Sequence, residues 1–187
     1  MHEDLKNALD ILYQGGVILY PTDTIWGLGC DATNEAAVKR VYEIKKRADS
    51  KSMLVLMENI NLLERYVAEV PEIAYSLIEV NDKPMTIIYP GAKNLAKNLV
   101  AEDGTVGIRI TSEEFTRELI RRFKKPIVST SANISGEKSP SVFAEISDEI
   151  KAAVDYVVNY RQEETVPAKP SSIIKLGIGG EIVILRE

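Results

Sequence analysis

Histidine and cysteine are almost absent from this 187-residue sequence, which contains one residue of each, His2 and Cys30. A histidine-based catalytic triad, a zinc site with two histidines and a multi-cysteine metal cluster all need more of these side chains. A single thiol also excludes a disulfide within the chain, which fits a reducing compartment. We therefore expect Cys30 to be a packed small residue and the chemistry to rest on other groups.

Long hydrophobic runs are also missing. No apolar stretch approaches the ~18 residues that a membrane-spanning helix needs. Glu3, Asp4 and Asp10 place negative charge where a signal peptide would carry its basic and apolar regions. We therefore expect a soluble, cytoplasmic protein with no membrane partner.

Positive charge is scarce overall and concentrated in one segment. The chain has 23 basic and 28 acidic residues, a net charge of −5. Residues 39–51 contain six basic and two acidic residues, a local charge of +4, so the remaining residues carry −9. A protein that binds nucleic acid over its whole surface is normally basic. Any contact with RNA or phosphate is therefore expected to be local.

Short apolar segments predict the strands of a sheet. The predicted strands are Val17–Tyr20, Met53–Met57, Met85–Tyr89, Thr105–Ile110, Pro126–Thr130, Tyr156–Asn159, Ser172–Leu176 and Glu181–Leu185. Helical patterns separate most of them, but several strands follow one another near the end. This order predicts a single α/β domain over residues 1–187 with a mixed sheet.

Turn and capping signals set the expected ends of several elements. Asn34 is placed to cap a helix, and Thr111 and Glu114 have the spacing of a capping box. Residues 22–33 are expected to form a polar loop. Arg161–Ser171 is the longest loop candidate and therefore the candidate lid.

Polar segments lie at the ends of these strands. Each can be interpreted as an ordinary structural feature or as part of a binding site. Residues 20–31, YPTDTIWGLGCD, match neither a Walker A loop nor a dinucleotide-binding loop, so a tight turn is the plainer interpretation. Lys45, Arg47 and Lys51 either offset the negative end of a helix dipole or form a rim that binds phosphate oxygens.

Two further segments also allow both a purely structural and a ligand-binding interpretation. Strand alternation turns Arg109 either to solvent or into a cleft, where its guanidinium group suits a carboxylate. Residues 129–136, STSANISG, form either an ordinary polar turn or a set of hydroxyl and N–H donors for a nucleotide.

The order and the amino-acid sequences of these segments resemble those of one protein family. YPTDTIWGLGCDA, IKKR followed by SK, KPMTIIYPG, GTVGIRI and STSANISG are together typical of the YrdC-like threonylcarbamoyl-adenylate synthases. The resemblance runs from about Val17 to Lys175 and implies a twisted open α/β sheet around a large concave, positively lined cleft. It also implies synthesis of L-threonylcarbamoyl-AMP and pyrophosphate from L-threonine, bicarbonate and ATP, for modification of tRNA.

The resemblance assigns four residues to threonine binding. Thr22 in YPTDT matches a threonine-contacting hydroxyl, and Arg109 matches the arginine that holds the threonine carboxylate. Thr86 in KPMT resembles the threonine of G-P-L-T, with Lys83 in place of the usual glycine. Ser171 resembles the serine before a terminal strand, although its surroundings depart from the usual G-x-x-S-T-V-V-D.

Other residues are assigned to the nucleotide. Lys45 and Arg47 match the K-x-R pair, which is expected to hold the ATP phosphates and to be catalytic. Further nucleotide contacts are expected from Lys51 and Ser52 and from the S-x-N motif, Ser131 and Asn133.

The resemblance also implies cofactors and partners. Mg²⁺ bound to ATP is the expected cofactor, and no dedicated protein metal site is expected. Downstream threonylcarbamoyl-transfer enzymes and a contact with tRNA are the expected macromolecular partners. The alternative is a non-catalytic RNA-binding paralogue, but the intact K-x-R and S-x-N motifs and the net charge of −5 favour the enzyme. A carbamoyl-adenylating domain of hydrogenase maturation proteins would normally belong to a longer, cysteine-rich chain.

Overall fold

The computed structural model describes residues 1–46 and 53–187. Within these ranges, the helices are α1 (His2–Tyr13), α2 (Glu35–Ile44), α3 (Leu63–Tyr66), α4 (Glu72–Val80), α5 (Glu114–Phe123) and α6 (Asp148–Ala153). The strands are β1 (Ile18–Tyr20), β2 (Gly27–Gly29), β3 (Leu54–Met57), β4 (Met85–Tyr89), β5 (Val106–Ile110), β6 (Ile127–Ser131), β7 (Tyr156–Val157), β8 (Ser172–Leu176) and β9 (Ile182–Arg186).

These strands form one open sheet in the order β7-β1-β2-β6-β3-β5-β4-β8-β9. Strand β3 runs parallel to β5 and antiparallel to β6, and β4 runs parallel to β8 and antiparallel to β5. The prediction of an α/β fold with a mixed, open sheet is confirmed.

Residues 22–33 are more ordered than the sequence predicts, because Gly27–Gly29 forms β2. This strand pairs antiparallel with β1 and with β6. A Cβ atom on Gly29 would lie 2.5 Å from Tyr20 Cε1 and 2.8 Å from the Val128 carbonyl oxygen, so the site accepts only glycine. The loop prediction is wrong here because the three residues Gly-Leu-Gly are too few to show apolar alternation.

One predicted helix cap is confirmed and one is wrong. Asn34 Oδ1 accepts hydrogen bonds from the backbone N–H groups of Ala36 and Ala37 at 3.0 and 3.1 Å, as an N-cap residue should. Helix α5 is instead capped by Glu113, whose carboxylate accepts a 2.7 Å hydrogen bond from the Thr116 N–H. Thr111 lies before that cap, so the spacing with Glu114 is coincidental.

The two faces of the central strands have different roles, because successive side chains on a strand point to opposite faces. On one face Val55, Ile87 and Ile108 are buried in the main apolar core. Ile78 of α4 lies beside Ile87 and Ile108 on this side. The other face carries smaller and more polar side chains, and it is open enough to form a cavity.

Hydrogen bonds connect the segment Arg161–Ser171 to the rest of the protein at several points. Arg161 donates a 3.1 Å hydrogen bond to the Thr22 carbonyl oxygen, and the Ala168 N–H donates one of 3.0 Å to the Ser141 carbonyl oxygen. Its role as a lid stays a prediction. None of the helices in the described part of the chain has the length and low polarity that a membrane crossing requires.

Candidate active site

A cavity of about 290 Å³ lies over the polar face of the central strands, which forms its floor. Strand β4 contributes Thr86 and Ile88, β5 contributes Gly107 and Arg109, and β3 contributes Leu54. A Cβ atom on Gly107 would come within 3.3 Å of Thr86 Cγ2, so this glycine leaves room in the floor. Polar groups in a concave apolar setting are typical of a small-molecule site.

Arg109 is turned into this cavity and not toward solvent. Its residue is 2% exposed, and its Nη2 lies 3.0 Å from Asp23 Oδ1, on a side chain that is 6% exposed. Arg109 Nε has no hydrogen-bond partner among the described residues. The ion pair holds the guanidinium group at the cavity wall, and the unpartnered N–H leaves it able to bind a further anion.

Thr86 and Ser171 meet beside this arginine. Their hydroxyl oxygens are 2.8 Å apart, and both residues are almost fully buried. Strands β4 and β8 run parallel here and bring together residues that are 85 positions apart in sequence. The Ser171 carbonyl oxygen also accepts a 2.8 Å hydrogen bond from Arg186 Nε, so a second arginine reaches the same end of the cavity.

Lys45 lies behind the other end of the cavity, where it braces the loop after β6. Its residue is 1% exposed, and its Nζ donates hydrogen bonds to the carbonyl oxygens of Ser131 and Asn133 at 2.6 and 2.8 Å. The Asn133 amide in turn donates to the carbonyl oxygens of Ile134 and Glu137. Lys45 and Asn133 therefore shape this loop, while Ser131 lines the cavity itself.

Thr22 also supports the cavity wall without lining the cavity itself. Its hydroxyl donates to the Ile25 carbonyl oxygen at 2.8 Å and accepts from the Thr24 N–H at 3.0 Å, which closes a tight turn. Thr24 and Trp26 follow this turn and line the large cavity, whereas Thr22 faces a smaller neighbouring cavity. The predicted tight turn is thus present over residues 22–25, whereas residues 27–29 of the same segment form β2.

The structure thus brings four of the predicted site residues together: Thr86, Arg109, Ser131 and Ser171 line one cavity. Three others, Thr22, Lys45 and Asn133, support it from behind. Arg47, Lys51 and Ser52 lie outside the described residues. The ligand contacts assigned to all ten stay predictions.

Several residues of the site received no role from the sequence, among them Trp26, Asp23 and Arg186. Trp26 lines the cavity and packs on Phe143 with ring centroids 4.7 Å apart. Asp23 lies inside the quoted YPTDT motif, and that position was the signal that could have drawn attention to it. Arg186 ends the last strand, and nothing in the local pattern distinguishes it from an ordinary surface arginine.

Cys30 is fully buried, and burial raises the pKa of its thiol, which suits the predicted packing role. Across residues 1–46 and 53–187, no group of three or more His, Cys, Asp or Glu side chains is placed to hold a metal ion.

An open mixed sheet with an arginine-bearing cavity on one face defines an α/β protein suited to a small anionic ligand. The chain belongs to the Sua5/YciO/YrdC family, whose family model, described as telomere recombination, matches residues 10–187. The chain is 36% identical over 155 residues to a threonylcarbamoyl-AMP synthase from Pseudoalteromonas translucida, with 81% of this chain and 83% of that protein covered.

Solved structures agree with this assignment. P. abyssi Sua5 complexed with L-threonine matches 97% of this chain with a TM-score of 0.86 and 26% identity, and this chain spans 53% of that protein. E. coli YciO matches 100% of this chain and 90% of its own length, with a TM-score of 0.84 and 26% identity.

Proposed function

We propose that this protein is an L-threonylcarbamoyladenylate synthase, a nucleotidyltransferase that uses L-threonine, bicarbonate and ATP. The observation that carries the proposal is Arg109, a buried arginine held by Asp23 and directed at a cavity whose nearby hydroxyls belong to Thr86 and Ser171. A fixed guanidinium group beside two hydroxyls matches an amino acid with a carboxylate and a hydroxyl side chain. The name of the curated relative supports the same reaction.

The proposed reaction needs no nucleophile from the protein. Bicarbonate and the threonine amine give the N-carboxy compound and water, and a carboxylate oxygen of this carbamate then attacks the α-phosphorus of ATP. The bond to the β-phosphate oxygen breaks, and pyrophosphate leaves. Such a transfer depends mainly on positioning and charge stabilisation. The near absence of histidine and cysteine is compatible with this chemistry.

The nucleotide is assigned to the other end of the cavity. Ser131 lines the wall there, and the buried Lys45 ammonium group adds positive charge behind it. A fixed positive charge is stabilising where negative charge builds up on a leaving pyrophosphate. Arg47, Lys51 and Ser52 are proposed to add contacts, and Mg²⁺ enters with ATP as part of the substrate.

The wider role is part of the same proposal. The product would pass to a threonylcarbamoyl-transfer enzyme that modifies tRNA in the cytoplasm. A direct contact between this chain and tRNA is proposed to be local to residues 39–51, where the positive charge is concentrated.

The test is to incubate the protein with ATP, Mg²⁺, L-threonine and bicarbonate and to search for threonylcarbamoyl-AMP by mass spectrometry. We expect the product only when all components are present. Arg109→Lys should reduce its formation strongly, because a lysine cannot reproduce the two-pronged contact with a carboxylate. Arg117→Lys, on the exposed side of α5, is the matched control. No product from the folded wild-type protein would refute the proposal.

A further inference from the structure

Strand β9 forms one edge of the sheet, and its side chains are apolar on both faces. Four consecutive residues, Ile182 to Leu185, are between 46% and 63% exposed. Single exposed apolar side chains are ordinary, but a continuous run on an edge strand is not. Natural edge strands usually carry charges, a proline or a covering element, because their free backbone groups otherwise pair with another strand. Within residues 1–46 and 53–187, the middle of β9 has none of these protections.

The neighbouring strand β8 shows what is missing at β9. Ile174 lies opposite Ile184, and Leu176 lies opposite Ile182, so the paired side chains share one face of the sheet. The two β8 residues are buried, whereas their β9 partners are about half exposed or more. The apolar face of the sheet therefore continues onto β9, but the packing that covers it ends at β8.

The backbone of β9 also has hydrogen-bonding groups that point away from the sheet. At the hairpin between β8 and β9, the Gly177 N–H donates a 2.9 Å hydrogen bond to the Glu181 carbonyl oxygen. In an antiparallel pair, alternate residues bond across the pair and the residues between them point away. Val183, two residues after Glu181, therefore bonds toward β8. The N–H and C=O groups of Ile182 and Ile184 point outward and can pair with an added strand.

Strand β9 is complementary to a second copy of itself. An antiparallel pairing about a two-fold axis at Val183 places Ile182 opposite Ile184 of the other copy, and Ile184 opposite Ile182. Each of these pairs can exchange two backbone hydrogen bonds, which uses the outward groups of both strands. Apolar side chains then meet apolar side chains on both faces. Such an interface uses the same surface on both copies, so it closes after two.

The residues that flank this centre favour the same alignment. With the axis at Val183, Glu181 lies opposite Leu185 of the other copy. A shift of the axis by one residue toward the C-terminus places Glu181 opposite Glu187, and like charges directly opposite are destabilising. A shift toward the hairpin places an isoleucine opposite Gly180, which has no side chain to pack against.

We propose that this protein forms a symmetric dimer through antiparallel pairing of β9 with β9 of a second copy. The two sheets then become one continuous sheet. The proposal goes beyond the proposed function and does not depend on it. One strand from each copy gives a small interface, below about 1,200 Å². We therefore expect a concentration-dependent dimer with a dissociation constant of about 1–100 μM.

The test is sedimentation equilibrium of the protein at about 1–200 μM. The average mass should rise with concentration from the monomer value of 20.8 kDa toward twice that value. Ile184→Lys should remain monomeric, because the pairing would bury an ammonium group against an isoleucine. Ile184→Pro is a second variant with the same expected result. Its missing N–H is one that points away from β8, so the β8–β9 pair keeps its hydrogen bonds.

Tyr13→Lys is the matched control. Tyr13 is 63% exposed, as is Ile184, but it ends α1, which packs against β1 and β7 at the opposite edge of the sheet. This variant should dimerise like the wild type. Its failure to dimerise would show that any new surface charge prevents association, and this would overturn the assignment to β9.

Amide hydrogen exchange identifies the surface directly. The N–H groups of Ile182 and Ile184 should exchange at least about 10-fold more slowly at high protein concentration than at low concentration, because only the dimer bonds them. The Val183 N–H, which bonds to β8, is the internal reference and should change less. Three results would each overturn the proposal: a monomer at every concentration, a dimer that survives Ile184→Lys, or a dimer in which exchange at Ile182 and Ile184 is unchanged.

Discussion

Arg109 and Asp23 form a buried ion pair that is incomplete within the described residues. Asp23 Oδ1 lies 3.0 Å from Arg109 Nη2, yet Asp23 Oδ1 and Arg109 Nε both lack a well-aligned hydrogen bond. Removing one partner from a buried pair is costly because the other charge stays desolvated. The pair therefore couples the stability of the fold to the orientation of the group that is proposed to bind threonine.

Asp23→Asn tests this coupling. We expect the free energy of unfolding to fall by about 3 kcal/mol, since the change leaves Arg109 buried without its counter-ion. Threonine affinity, measured by calorimetry on the folded variant, should also fall. Asp148→Asn is the control, because its pair with Lys151 lies at the surface and should contribute little. Equal effects of both substitutions would contradict the assigned role of Asp23.

Lys45 offers a second test at the level of one side chain. Lys45→Met keeps most of the buried volume but leaves the carbonyl oxygens of Ser131 and Asn133 without this donor. We expect a loss of about 1–3 kcal/mol in unfolding free energy. Backbone amide exchange at residues 131–137 should speed up more than exchange in α5. Exchange that rises equally in both segments would show that Lys45 does not act as a local brace.

At the level of elements, strands were easier to predict than the connections between them. The apolar runs of β3, β4, β5 and β6 are visible in the sequence because both faces of these central strands are at least partly buried. Strand β2 was not predicted because its three residues, GLG, have no strand pattern of their own. They form a strand because they pair with β1 and β6. The cap of α5 was misplaced because the Glu113 carboxylate replaces the hydroxyl that the capping box requires.

Gly29 in β2 gives a prediction at this level. Gly29→Ala should destabilise the protein by about 1–3 kcal/mol in chemical denaturation, because the new methyl group would meet the Val128 backbone oxygen and the Tyr20 ring. Gly107→Ala is the matched control, since its nearest neighbour is a side-chain methyl group at 3.3 Å that can shift. A control that costs as much as Gly29→Ala would contradict this explanation.

At the level of the whole molecule, the site is assembled from strands far apart in sequence. The motifs predicted which residues would matter, but not which side chains line the cavity and which support it. Arg109 is the clearest case, because alternation allows both faces until the neighbouring strands are placed. Arg186 could not be placed at the cavity from the sequence, because its position there depends on the pairing of β8 with β9 and on its hydrogen bond to the Ser171 carbonyl oxygen.

The contacts of Asp155 beside the β1–β7 edge of the sheet predict a dependence of stability on pH. Burial alone would raise the pKa of Asp155, but hydrogen bonds from Arg40 and from the Val17 N–H outweigh it and hold that pKa below its usual 3.8. This stabilisation is present above about pH 4 and is lost as the pH falls through the lowered pKa. Asp155→Asn should therefore reduce stability at neutral pH and flatten its decline in acid. Parallel curves for variant and wild type in denaturant titrations would contradict this.

Trp26 is the single tryptophan of the chain, and its position makes the protein its own optical reporter. The indole lines the large cavity and also the smaller cavity beside residues 161–168, and it packs against Phe143. Its emission therefore responds both to a ligand entering the site and to a displacement of that loop. Rapid-mixing fluorescence of the unlabelled protein can order these two events in time, with no probe attached and no other indole contributing background.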